Sequence, residues 1–245
     1  MEERVDTQFR ALSYDLIQNN AEANAILGLL VSGRIKVLEL FVCDPELLSK
    51  VRDEAAAIAT QDLAHGLASG HPTFDYIRKW DPKWAPKPNT IFQYSVYNSR
   101  DDLSFFDEDH HWFEGRRFNT RLKYIPEFFR AYFRDTELQN FRIQAVMGGG
   151  DLGLHRERIV AIPKREHDYK LRFHLPVLTN PHVSFIMDDE QHVMEEGRVY
   201  LFNQSCLHGV SNTGNEIRVH LVWDCYLNDH IVKEFIIPGL KRHDG

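Results

Sequence analysis

Residues 195–227, EEGRVYLFNQSCLHGVSNTGNEIRVHLVWDCYL, decide the fold. Three short runs stand out in it: Arg198–Phe202 (RVYLF), Leu207–Asn212 (LHGVSN) and Ile217–Leu227 (IRVHLVWDCYL). They are rich in β-branched and aromatic residues, and Asn, Gly and Ser clusters separate them. Runs of that length with turn residues between them read as strands rather than helices.

The same texture extends upstream. Phe141–Met147 (FRIQAVM), Lys170–Leu178 (KLRFHLPVL) and Val183–Met187 (VSFIM) are further strand-like runs, the last followed by a hairpin through Asp188-Asp189 into QHVM. So many short strands at this spacing predict a sandwich or jelly-roll barrel. The first third reads differently. Thr7–Leu30 has apolar residues at near-helical spacing, and Asp44-Pro45 forms an N-cap with proline at the first helical position, opening a helix to about Thr60. Lys36–Val42 and Thr90–Tyr97 read as strands, and Ile125–Phe133 as a short aromatic helix. The expected architecture is mainly β with a helical N-terminal layer. It forms one domain over 1–245: 1–139 as helical support and lid loops, 140–228 as jelly-roll core, and 229–245 as a C-terminal tail.

Composition narrows the function. Apolar residues make up 43% of the 245 positions, enough for a sizeable core, and charged residues 27%. A formal net charge of −7 argues against a nucleic-acid or anionic-membrane partner. No apolar run approaches a transmembrane span, and the acidic N-terminus is not a secretory signal. The three widely spaced cysteines, Cys43, Cys206 and Cys225, read as buried apolar residues in a reducing compartment. A cytoplasmic location is expected.

Among the 13 histidines, position selects two. His155 follows the Gly148-Gly149-Gly150 turn, with Glu157 two residues on. On extended chain, residues i and i+2 point the same way, so both reach one metal ion. His208, at the head of a late strand, supplies a second imidazole. Two histidines and a carboxylate on one side of a metal leave positions open for a co-substrate and O₂, the arrangement of iron(II) oxygenases. Taken alone, an HxE pair in a loop is more often solvated or structural.

Arg218 lies ten residues beyond His208, which places the two on neighbouring strands joined by the 212–215 turn. Facing inward, it needs an anion, and a dicarboxylate co-substrate supplies one; facing outward, it is an ordinary surface arginine. Arg172 and His174 share one face of their strand, opposite Leu171, Phe173 and Leu175, and the pattern does not say which face is inside. Gln144 serves either as a co-substrate contact or as a plain cross-strand residue. Asn203 and Asn212 read as turn formers. His110-His111 reads as part of a solvated acidic loop rather than a second metal site. Trp80, Trp84 and Trp112, with the proline-rich 71–89 stretch, read as an ordered loop over a site.

The segments LHRE, RFHLPVLTNP and EEGRVYLFNQSCLHGVSNTGNEIRVHLVWD, in this order, resemble the aspartyl/asparaginyl β-hydroxylase family, which includes bacterial hydroxylases of free proline. The resemblance spans about Phe141 to Leu227. It implies a double-stranded β-helix of the cupin-like kind, iron(II), 2-oxoglutarate as co-substrate, and hydroxylation of a C–H bond in an amino-acid-like small molecule. It also implies roles: His155 and His208 as metal ligands, His174 at the co-substrate carboxylate near the metal, Arg218 at the distal carboxylate, and Arg172 near the substrate's own carboxylate. The chain departs from the pattern at Glu157, where some members have Asp and some no carboxylate; either Glu157 or a water completes the sphere. Two rival readings are a cupin-type metalloenzyme that does not use 2-oxoglutarate, for which Arg218 is dispensable, and a non-catalytic jelly-roll module that binds no metal.

Overall fold

The computed structural model describes residues 21–69, 90–97, 118–119, 121–157 and 170–243. The described helices are α1 (Ala21–Val31), α2 (Pro45–Ser69), α3 (Tyr124–Phe133) and α4 (Ile237–His243), with a π-helical turn (Ile231–Ile236) leading into the last. Ten strands complete the element order: β1 (Val37–Val42), β2 (Ile91–Tyr97), β3 (Glu137–Val146), β4 (Asp151–His155), β5 (Lys170–Leu178), β6 (Val183–Met187), β7 (Glu190–His192), β8 (Arg198–Phe202), β9 (His208–Asn212) and β10 (Arg218–Tyr226).

The strands form two sheets, a six-stranded one in the order β1-β8-β5-β10-β3-β2 and a four-stranded one in the order β4-β9-β6-β7. Every pairing within them is antiparallel. This is the expected mainly β, jelly-roll, cupin-like fold with a helical layer. The boundary expected at 140 does not divide support from core, because β1 and β2 lie before it and form the two edges of the larger sheet.

Alternation on the central strand explains the layering. All nine residues of β10 are buried. Val219, Leu221, Trp223 and Cys225 join Phe141, Ile143, Phe173 and Leu175 in an apolar cluster beneath the helices. Aromatic packing from α3 dominates it: Phe133 meets Trp223 edge-on with centroids 5.0 Å apart, and Phe173 stacks on Trp223 at 5.7 Å. The alternate residues, Arg218, His220, Val222 and Asp224, face the space between the sheets. There a smaller apolar cluster, including Phe185, Met187, Tyr200 and Phe202, shares the interior with buried polar groups.

Local signals read from sequence hold at the helix starts. Asp44 Oδ1 accepts the Leu47 amide at 2.9 Å, which fixes the start of α2. The helix continues past Thr60 to Ser69, running through Gly66 on a stretch otherwise rich in helix formers. The start of α3 has no local side-chain cap. The Glu54 carboxylate, from α2, accepts the amides of Lys123, Tyr124 and Ile125 at 2.7, 3.0 and 2.8 Å. The expected tail is partly helical: Ile231, Val232, Phe235 and Ile236 are buried. Gly239 lies so close to β1 that a Cβ there would sit 2.9 Å from Glu39 O. Burial of this segment stabilises the helix.

Cys43, Cys206 and Cys225 are buried thiols. Burial pushes the Cys43 and Cys206 thiols up to about 11, so neither is an activated nucleophile. Among the described residues no helix is long and apolar enough to cross a membrane.

Candidate metal centre

His155 and His208 occupy the same register position of the β4–β9 pair. Their ring centroids are 4.3 Å apart. The His155 Nδ1 lies 2.9 Å from Gly153 O, and the His208 Nδ1 lies 2.8 Å from Cys206 O. A carbonyl only accepts, so each Nδ1 carries the proton and each Nε2 presents its lone pair. Glu157 Oε1 lies 3.7 Å from His155 Nε2 and 3.9 Å from His208 Nε2. One ligand atom from each of the three residues falls within 4.8 Å of the others.

Backbone contacts around the cluster hold this arrangement. The Glu157 amide donates to Gln204 O at 2.9 Å, carrying the chain across β9's approach just after β4 ends. Asp188, in left-handed backbone at φ 53° in the β6–β7 turn, accepts the Leu207 amide at 3.0 Å and donates its own amide to Leu207 O. Asparagine and aspartate tolerate that conformation better than other non-glycine residues. Arg156 reaches Asp188 Oδ1 at 3.2 Å and Ser205 O at 3.1 Å. Gly209 lets β4 approach β9, since a Cβ there would stand 2.7 Å from Leu152 O.

Burial in this cluster disfavours charge on His208. Desolvation, reinforced by the neighbouring His155, pushes its pKa down to about 4. A neutral imidazole with a free Nε2, paired with a second and a carboxylate, is a donor set suited to iron(II) and similar divalent ions.

The larger sheet supplies the opposite wall. His208 meets Phe202 across the interior at 5.0 Å between ring centroids, and Phe202 meets His174 at 4.7 Å. His174 Nδ1 lies 3.4 Å from His220 Nδ1. Both histidines are buried, and neither Nε2 has a hydrogen-bond partner. Arg218 is fully buried, and its Nη1 donates to Gln144 Oε1 at 2.9 Å. Its Nε and Nη2 have no partner. Phe185 joins these groups, lying 5.0 Å below the Arg218 guanidinium, 5.6 Å from the His220 ring and 5.9 Å from the His174 ring.

Burial without a carboxylate partner pulls the Arg218 pKa down from its ordinary value. A guanidinium nevertheless keeps its charge, so this one calls for an anion. Desolvation, then Arg218, lowers both His174 and His220 well below the usual imidazole range.

Arg172 is engaged elsewhere. Its Nε and Nη2 donate to Asp224 Oδ1 and Oδ2 at 2.8 and 3.2 Å. Nη2 also donates to Glu157 Oε2 at 2.9 Å, and Nη1 to Glu157 Oε1. Asp224, fully buried, further accepts from Asn140 Nδ2 at 2.7 Å, and Arg142 Nη1 donates to Asn140 Oδ1 at 2.7 Å.

The structure therefore brings His155, Glu157 and His208 to one point, and places Arg218, Gln144 and His174 on the facing wall. Arg172 sits beside the metal cluster with its hydrogen bonds directed at two carboxylates of the chain. His208 and Arg218 are not on neighbouring strands, as their spacing suggested: β9 and β10 lie in different sheets. The 212–215 turn carries the chain from one sheet to the other, so the two residues stand on opposite walls. Both faces of β5 are buried, with Leu171, Phe173 and Leu175 under the helices and Arg172 and His174 inside. Sequence reasoning passed over His220, Asp224, Arg142 and Asn140. The signal for the first two was available, since alternation from Arg218 along β10 puts both on its face. Asn203 and Asn212 do make turns and ties: Asn203 Nδ2 donates to Leu30 O and Ile35 O, and Asn212 Nδ2 to Val146 O and Glu216 O. The 71–89 loop, His110-His111, Trp80, Trp84 and Trp112 lie outside the described residues.

The antiparallel jelly roll is cupin-like, and the two histidines and the carboxylate gathered inside it could hold a metal ion. Residues 107–227 match the family model for aspartyl/asparaginyl beta-hydroxylase. The match begins earlier than the motif resemblance did, ahead of α3. Similar solved structures include an oxidoreductase of the 2OG-Fe(II) oxygenase family from Burkholderia pseudomallei. It is 13% identical, with 77% of this chain and 94% of that one covered and a TM-score of 0.40. A viral collagen prolyl hydroxylase from Paramecium Bursaria Chlorella virus-1, in its 2OG complex, is 9% identical, with 56% and 80% covered and a TM-score of 0.35. A cupin domain from Bordetella pertussis is 15% identical, with 37% and 90% covered and a TM-score of 0.28. No curated protein matches the chain.

Proposed function

We propose that this protein is an iron(II)- and 2-oxoglutarate-dependent dioxygenase that hydroxylates a C–H bond of an amino acid or amino-acid-like small molecule. The observation that carries this reading is the pairing of two sites across one interior: a His-Glu-His cluster on the smaller sheet, and a buried guanidinium with two unpartnered N–H groups on the larger one.

His155, Glu157 and His208 would hold the metal. Iron(II) bound there, with 2-oxoglutarate and O₂, supplies oxidation of C–H to C–OH, one oxygen atom entering the product and the other entering succinate as CO₂ leaves. The chain's own residues bind, orient and shield. Arg218 takes the far carboxylate of the co-substrate through Nε and Nη2, while Gln144 holds Nη1 and so aims the fork. His174 and His220 share one proton between their Nδ1 atoms, so one Nε2 is left as a donor and the other as an acceptor along the co-substrate's length. Phe185, Phe202 and Met187 make the surrounding interior apolar, which strengthens each charged contact and limits solvent at the reacting carbon.

The test is metal-dependent conversion of 2-oxoglutarate to succinate by purified protein, screened against free amino acids and small amino-acid derivatives. Iron-dependent succinate release stimulated by one class of substrate is the expected result. No 2-oxoglutarate binding to the metal-loaded protein, together with no turnover on the panel, overturns the proposal.

A further inference from the structure

Resting on that reading of the metal cluster, we propose that Arg172 is a positioning residue for Glu157, itself held by Asp224, and that it is not the anchor of a substrate carboxylate.

A guanidinium has five N–H donors. Arg172 directs four hydrogen bonds at the chain's own carboxylates, two to Asp224 and two to Glu157. Arg218, on the same face of the same sheet, makes one, to Gln144. The first is a filled fork and the second an open one. Cross-strand register sets the difference: Asp224 stands directly opposite Arg172 on the neighbouring strand, with Asn140 opposite Asp224 on its other side.

Asp224 is fully buried, and Arg172 and Asn140 hold both of its oxygens. A buried carboxylate–guanidinium–carboxylate chain is a poor route to stability alone, because desolvating each charge offsets most of the attraction. Its geometric effect is specific. Arg172 grips both Glu157 oxygens and leaves Oε1 toward the two imidazole Nε2 atoms. Burial opposes charge on Arg172, but Asp224 and Glu157 outweigh it and hold the guanidinium charged. A free glutamate, with one more rotatable bond than aspartate, would lose more side-chain entropy on binding a metal; a glutamate fixed beforehand does not.

Manganese(II) affinity of the purified protein, measured by calorimetry without co-substrate, tests this. Arg172→Met is expected to weaken binding about 10- to 100-fold, as loss of a ligand's supporting partner does, and Asp224→Asn to weaken it in the same direction. The double variant Glu157→Gln/Arg172→Met is expected to bind no more weakly than Glu157→Gln alone, since Arg172 acts through that carboxylate. Additive losses, or an Arg172→Met affinity equal to wild type, overturn the inference. If Arg172→Met lacks the native circular dichroism spectrum, Arg172→Lys replaces it; unchanged affinity there overturns the inference equally. A wild-type protein that binds no manganese overturns the metal-centre reading itself, a result distinct from wild-type binding that survives loss of Arg172.

Discussion

His155 and His208 face each other from paired positions of two antiparallel strands, and each ring is locked by a hydrogen bond from Nδ1 to a carbonyl two residues upstream in the chain. Ring orientation and tautomer are thus set by the backbone before any ion arrives. His155→Ala and His208→Ala are each expected to lower manganese(II) affinity at least about 100-fold, while the metal-free proteins melt within a few degrees of wild type. Calorimetric titration and thermal melts of the three proteins check both halves.

Gly209 tests whether strand spacing sets that geometry. An added Cβ would meet Leu152 O at 2.7 Å and Leu154 Cδ2 at 3.3 Å, forcing β4 away from β9 beside the two histidines. Gly209→Ala should cost on the order of 1–3 kcal/mol of stability by crowding the packed pair. It should also weaken metal binding although no ligand is altered. Denaturant unfolding combined with a metal titration reads both.

Arg218 should behave in opposite ways in the two assays. It is fully buried with two unpartnered N–H groups, so Arg218→Met is expected to stabilise the ligand-free protein by about 1–3 kcal/mol by removing an uncompensated buried charge. The same variant should lose at least about 100-fold in 2-oxoglutarate affinity while keeping its metal affinity, because the distal carboxylate loses its charged partner. Unchanged co-substrate affinity would return the rival reading, a cupin-type metalloenzyme without 2-oxoglutarate.

Acidification should destabilise the metal-free protein through the His174–His220 pair. Both have folded-state pKa values lowered well below 6.5, by burial first and then by Arg218; Arg172 and Arg142 act in the same direction on His174, and Asp224 opposes them. The unfolded chain therefore binds protons that the folded chain refuses. Stability is fully present above the unfolded value and falls as pH drops through about 6.5 toward the folded values. His220→Phe is expected to flatten this slope between pH 7 and 5, measured by urea unfolding at several pH values.

Glu54 offers a check away from the site. Its carboxylate accepts three amides at the start of α3, the helix whose Phe133 packs on Trp223. Glu54→Ala should cost about 1–2 kcal/mol, as loss of a helix N-terminal cap does. Metal affinity should not change.

Much of this was legible in the residues. Short runs such as Arg198–Phe202 and Lys170–Leu178 carry strand propensity and turn boundaries locally, so they could be placed without knowing their neighbours. The candidate cluster could be named too, because i and i+2 alternation pairs His155 with Glu157, and the ordered motifs marked His208 and Arg218. By contrast, the roles of Arg172, His220 and Asp224 depend on what stands opposite them. Alternation in RVHLVWDCY says that Arg218, His220 and Asp224 share a face of β10. It does not say that this face is buried, because a half-exposed strand shows the same pattern. Packing the two sheets together decided that, and with it which buried charges are paired and which are not. Hydrogen-bond partners across strands follow from register, and register follows from the assembled barrel rather than from any one segment.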